Sequence, residues 1–88
     1  AETFADMTHR IKAAAQKLCR GKLVLVHEGG YSEAYVPFCG HATIAALADS
    51  DITAPDPHAK NFRIRQPSPK FDAFLRASID AMAQELNL

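Results

Sequence analysis

The stretch His27-Glu28-Gly29-Gly30-Tyr31 holds the residues whose types and spacing could do chemistry. Two successive glycines let a backbone turn tightly and approach a ligand closely. A tyrosine directly after them can hold its hydroxyl into a cleft. A protonated phenol is a donor suited to the oxyanion that develops as a carbonyl is attacked. On residue types alone, an ordinary turn accounts for Gly-Gly-Tyr equally well. His27 reads either as a support for that loop or as a satisfied buried histidine. Glu28 reads as an acceptor for loop amides rather than a base, because no paired buried carboxylate is expected beside it.

The other candidates are sparser. Asp56-Pro57-His58 has the letters of a metal-ligand pair but sits in a proline-rich stretch followed by Ala-Lys-Asn, and short motifs of this kind match readily by chance. Cys39 and His41 lie two residues apart, which is not the spacing of one helical face. Lys60, Arg63, Arg65 and Lys70 around Phe62 form a basic cluster that reads as a solvated or ion-paired face rather than a nucleic-acid site. His9 reads as a surface position.

These residues need elements to position them. Residues 3–19 carry Phe4, Met7, Ile11, Ala15 and Leu18 at helical spacing. Thr3 with Asp6 resembles a capping box at the start, and Arg20-Gly21 is a stop signal. Lys22-Leu-Val-Leu-Val-His27 is an unbroken aliphatic run, which predicts a strand covered on both faces, as in parallel sheets. Functional groups in such sheets gather where strands end at their carboxyl side, and that is where Glu28-Gly29-Gly30-Tyr31 falls. A second helix is expected from the Ser32–Pro37 interval to about Asp49, burying Val36, Cys39, Thr43, Ile44 and Leu47. Residues 50–67, with Pro55, Pro57 and Pro67, read as a long loop lying across a larger body. Ser68-Pro69 caps a last helix with the stripe Phe71, Phe74, Leu75, Ile79, Met82 and Leu86. A lone both-faces-buried strand leaves its edges unpaired, so the order helix, strand, helix, loop, helix predicts part of a larger α/β sheet or a pairing with another copy.

Composition narrows the class. Eighty-eight residues make one small domain or part of one, and 48% of them are hydrophobic. Ten basic and ten acidic residues cancel, so no global field draws the chain to nucleic acid or an anionic membrane. The longest aliphatic run, Leu23 to Val26, is far below the ~20 residues of a membrane helix. Cys19 and Cys39 are too few for a disulfide framework and read as reduced thiols of a cytoplasmic protein.

The contiguous stretch Gly21-Lys-Leu-Val-Leu-Val-His-Glu-Gly-Gly-Tyr31-Ser-Glu-Ala-Tyr-Val-Pro-Phe-Cys-Gly40 is similar to the closing strand and tyrosine loop of histone deacetylase-like amidohydrolases. The bacterial and class II-like branch, in which a strand ends in Glu-Gly-Gly-Tyr, resembles it most. The flanking helices extend the likeness over residues 1–49, and the loop 50–67 and helix 68–88 resemble that branch's C-terminal segment. The resemblance implies an arginase-deacetylase α/β fold, a parallel sheet between helices, with residues 1–88 as the C-terminal portion of the domain. It also implies a zinc cofactor, held by two aspartates and a histidine, in the complete enzyme. The tyrosine matching Tyr31 is implied to donate to the attacked carbonyl. Gly29 and Gly30 are implied to line a tunnel for acetylated lysine or polyamine, the substrate class. Members with histidine at the tyrosine position handle acetyl-lysine poorly, and this chain keeps tyrosine. The family's Asp-x-His ligand signature does not precede Tyr31, so no zinc is expected on this chain alone, and the isolated chain is expected to be inactive. Its expected partner is the remainder of the deacetylase domain. The alternative is a non-catalytic remnant that folds by self-association through exposed apolar surface.

Overall fold

A computed structural model describes all 88 residues as four helices: α1 (Glu2–Cys19), α2 (Val36–Ala48), α3 (Ala59–Ile64) and α4 (Pro69–Glu85). Three of their ends follow local signals. Beyond α1, Arg20 and Gly21 turn left-handed (φ 58° and 76°), and the Gly21 N–H donates to the Ala15 carbonyl at 3.0 Å. Pro37 lies in the first turn of α2, where its missing N–H costs nothing. Ser68 caps α4, its Oγ accepting from the Phe71 N–H at 3.4 Å. Thr3 and Asp6 form no capping box; α1 begins one residue earlier than expected and has no side-chain cap.

The chain is all helical, which corrects the expected α/β parallel sheet. Residues 22–32 form neither helix nor strand. A strand is held by ladder hydrogen bonds to a neighbour, and no second strand-forming run exists in these 88 residues. The run between Lys22 and His27 is therefore not covered on both faces: Val24 and Val26 are 83% and 84% exposed. The expected long loop also contains α3. The Asp56 carboxylate accepts the His58 N–H at 2.8 Å, an Asx-type turn that leads the chain into that short helix.

α1 and α2 are the only helices that pack against each other. Their seam is built from small residues, with Thr8 and Ala15 buried on α1 and Cys39 and Ala46 on α2. The Thr8 hydroxyl donates to the Phe4 carbonyl at 2.7 Å, which lets this polar group sit inside. The stripe expected to bury α1 lies mostly outside: Phe4, Met7, Ile11 and Leu18 are exposed, and only its Ala15 is covered. On α2, Ile44 is exposed as well. α3 reaches the pair through side chains, Phe62 against Tyr35 with ring centroids 4.7 Å apart and Arg63 on Glu2 at 3.0 Å. α4 packs on no other helix.

Lys12 fastens the seam. Its Nζ donates to the carbonyls of Ala46 (3.2 Å) and Leu47 (3.0 Å) and pairs with Asp49 at 2.6 Å. A cation at a helix C-terminus satisfies carbonyls that have no partner within the helix and opposes the negative end of its dipole. Lys12 also holds the Asp49 carboxyl below the ordinary aspartate range, first by hydrogen bond and then by charge. A depressed aspartate stabilises the fold above its unfolded value, about pH 4, and that contribution is lost as the pH falls through the lowered value. Lys12→Met is expected to lower stability at neutral pH, modestly because the pair is partly exposed. Urea titrations at pH 7 and pH 2.5 check this, since the difference between wild type and variant should narrow at the lower pH.

Candidate tyrosine loop

The candidate site is built by the connection between α1 and α2. Gly29 and Gly30 both adopt left-handed backbone (φ 73° and 78°), a conformation that side chains with a Cβ disfavour. The two residues carry the irregular connection on from Glu28. On the far side, the Ser32 carbonyl accepts the Tyr35 and Val36 N–H groups at 3.1 and 3.0 Å and starts α2. Tyr31 stands between the two glycines and this turn and is 96% exposed. No side-chain hydrogen bond within the chain engages its hydroxyl, so the phenol is free to donate outward.

The two glycines are not equivalent. A Cβ on Gly29 would meet nothing within 4 Å, whereas one on Gly30 would lie 3.1 Å from both His27 Nε2 and Val36 Cγ2. Gly30 is where His27 and the first residue of α2 close on the loop. His27 is exposed and beside Gly30, not a buried core histidine. Gly30→Ala is expected to destabilise by about 2 kcal/mol, from left-handed strain plus crowding, and Gly29→Ala by about 1 kcal/mol from strain alone. Denaturation midpoints of the two variants check the ranking; equal midpoints would remove Val36 and His27 from the account.

The other candidate residues lie apart from Tyr31. Asp56 and His58 belong to a cluster around Tyr35. The His58 ring meets Tyr35, Phe38 and Phe62 at centroid distances of 6.2–6.4 Å. Burial pushes the Tyr35 phenol up, with Cys39 and Asp56 adding to the shift. Partial burial works against ionisation of Asp56, and the hydrogen bond from the His58 N–H holds its carboxyl low. The letters Asp-x-His therefore describe a turn and an aromatic contact. The Asp56 carboxylate accepts the His58 N–H, the His58 ring meets its aromatic neighbours edge-on, and nowhere do three potential ligands gather. These residues do not fit a zinc ion.

Cys39 is buried in the α1–α2 seam and Cys19 is exposed, both as free thiols. Glu28 is exposed and makes no side-chain hydrogen bond to the loop amides. Two shallow grooves, one by Phe71 and Phe74 and one by Ile44 and Ile52, are lined without Tyr31 or the glycines. Two residues with clear structural roles were not singled out from the sequence. Lys12 falls off the apolar stripe of α1, and Tyr35 organises the α2–α3 contact from a helix start. An aromatic four residues before a helical cysteine was the available hint for Tyr35.

Comparison with known proteins adds what this geometry alone does not say. No protein-family model matches the chain. Over 87 residues, 99% of its length, it is 40% identical to a histone deacetylase-like amidohydrolase of Pseudomonas aeruginosa, covering 23% of that protein. Over 55 residues, 61% of its length, it is 46% identical to a probable deacetylase of Archaeoglobus fulgidus, covering 15% of that protein. The chain thus spans about a quarter or less of the curated relatives it matches. No helix is long and apolar enough to cross a membrane. With near-complete coverage of its own length at 40% identity, this chain belongs to the histone deacetylase-like amidohydrolase family, as a segment of a deacetylase-family protein.

Proposed function

We propose that this segment supplies the oxyanion donor of a zinc-dependent amide hydrolase acting on acetylated lysine or acetylated polyamine. The observation that carries the reading is the outward-facing Tyr31 hydroxyl, set between two left-handed glycines and the start of α2, in a chain that matches a deacetylase-like amidohydrolase throughout. When water attacks the acetyl-amide carbonyl, negative charge grows on its oxygen. A phenol held there donates more strongly to the tetrahedral oxyanion than to the neutral carbonyl, and that difference lowers the barrier. Gly29 and Gly30 let the substrate's narrow acyl-amine chain approach the backbone, because no Cβ stands in its way.

In this reading the zinc is held by residues outside this segment. The free thiols Cys19 and Cys39 are in keeping with a cytoplasmic protein. The test compares the 88-residue chain with the complete protein that carries it, using an acetyl-lysine peptide and an acetylpolyamine. The chain with added zinc is expected to show no turnover. The complete protein should lose activity on chelation and regain it with zinc. Turnover by the isolated chain, or chelator-resistant turnover by the complete protein, would sink the proposal.

A further inference from the structure

A donor for a developing oxyanion works best when its direction is set before the charge appears. Tyr31 is 96% exposed and its hydroxyl has no partner within the chain, so its direction is inherited from the backbone on either side. Downstream, the Ser32 carbonyl accepts the Val36 N–H at 3.0 Å and ties the loop to the first turn of α2. Upstream stand Gly29 and Gly30, residues with more backbone freedom than any other type. The aim of the phenol therefore depends on what restrains these glycines.

The two differ in that respect. At Gly29 the place a Cβ would take is empty to 4 Å, so no side chain holds it from that side. At Gly30 the same place is hemmed in by His27 Nε2 and Val36 Cγ2, each 3.1 Å away, with Val36 Cγ1 at 3.7 Å. Val36 opens α2, the helix whose Cys39 and Ala46 are buried in the seam with α1, and so forms the fixed wall. His27 forms the second wall. It comes from the chain just before the glycines, and its ring reaches forward to the residue that precedes Tyr31. The ring is exposed, and no hydrogen bond or ion pair of the chain uses it. Packing beside Gly30 is the contact that the structure gives it.

We infer that His27 is a positioning residue of the tyrosine loop: with Val36 it clamps Gly30 in its left-handed conformation (φ 78°) and thereby fixes the direction of the Tyr31 hydroxyl. It acts by shape, through Tyr31, and needs no contact with the substrate. The glycines then divide the work. Gly29, open on its Cβ side, leaves room for the acyl-amine chain, and Gly30, closed in by its own chain, holds the tyrosine.

This inference rests on the Tyr31 reading above, and a double-mutant cycle in the complete protein separates the two. With an acetyl-lysine peptide, His27→Ala is expected to lower kcat roughly 10-fold or more, the scale on which misplacing a catalytic group costs rate. KM should stay within about twofold, because the lost alignment matters most in the transition state. In the Tyr31→Phe background the same substitution should cost less than about twofold, since no hydroxyl is left to aim. His27→Gln keeps a flat polar group reaching toward the position of Nε2, and should recover most of the wild-type kcat with the same pH profile. Equal losses from His27→Ala in both backgrounds, no loss in either, or a rise in KM alone would overturn the inference while leaving Tyr31 as the donor. So would a His27→Gln protein as slow as the alanine variant, or one that had lost a limb of the pH profile. A Tyr31→Phe protein with wild-type turnover would remove the donor reading, and the clamp with it.

Discussion

Tyr31→Phe in the complete protein is expected to lower turnover of an acetyl-lysine substrate by roughly 10²–10³, the effect of removing one preorganised oxyanion donor. That corresponds to about 3–4 kcal/mol of transition-state stabilisation. The loss should fall on kcat and kcat/KM alike, with KM nearly unchanged, because the hydrogen bond strengthens as charge develops. Folding should be unaffected, since the ring is 96% exposed and its hydroxyl has no partner within the chain. Steady-state kinetics together with a thermal melt test both halves. A phenylalanine variant with wild-type kcat would mean that the donor lies elsewhere and that Gly29-Gly30-Tyr31 is only a turn. A variant that raised KM alone would assign Tyr31 to substrate binding instead.

The second large effect is expected at the joint between α1 and α2. Ala46 is 5% exposed and faces a seam otherwise made of Thr8, Ala15 and Cys39. Small residues let the two helices approach closely enough for Lys12 to reach the carbonyls of Ala46 and Leu47. Ala46→Leu adds side-chain volume with no cavity to receive it, at an expected cost of 1–3 kcal/mol, roughly the usual range for overpacking. In a chain of this size each kcal/mol lowers Tm by about 4–8 °C, so a depression of roughly 10 °C is expected by circular dichroism at 222 nm. Ile79→Ser on α4 serves as the control and should hardly move Tm, because that side chain packs on no other helix. An Ala46→Leu chain that melts at the wild-type temperature would show that the seam is looser than its burial indicates.

The contrast between these two sites also explains the low burial of the whole. A seam of alanine, threonine and cysteine removes little apolar area from water, and at about 25 cal/mol per Å² it contributes little against chain entropy. The larger groups that could contribute more, on α1, on the 23–26 run and on α4, face outward. The chain therefore buries few of its large apolar groups.

The sequence by itself determined the features that depend on near neighbours. Arg20-Gly21, Pro37 and Ser68-Pro69 mark helix ends because caps and stops act within one turn. The amphipathic stripe of α4 was legible from spacing alone. The family was legible because Gly21 to Gly40 is a long contiguous match, and the same stretch contains the left-handed Gly29 and Gly30 that precede Tyr31. Tertiary structure decided the rest. Lys22 to His27 has the composition of a buried strand, but a strand exists only through hydrogen bonds to a neighbour, and this chain provides none. The stripe of Phe4, Met7, Ile11 and Leu18 did not select the face that α1 buries, because close approach through Thr8 and Ala15 also brought Lys12 onto the end of α2. α3 formed in a proline-rich stretch because an Asx turn at Asp56 started it and Phe62 found Tyr35, a partner 27 positions away that no local pattern encodes.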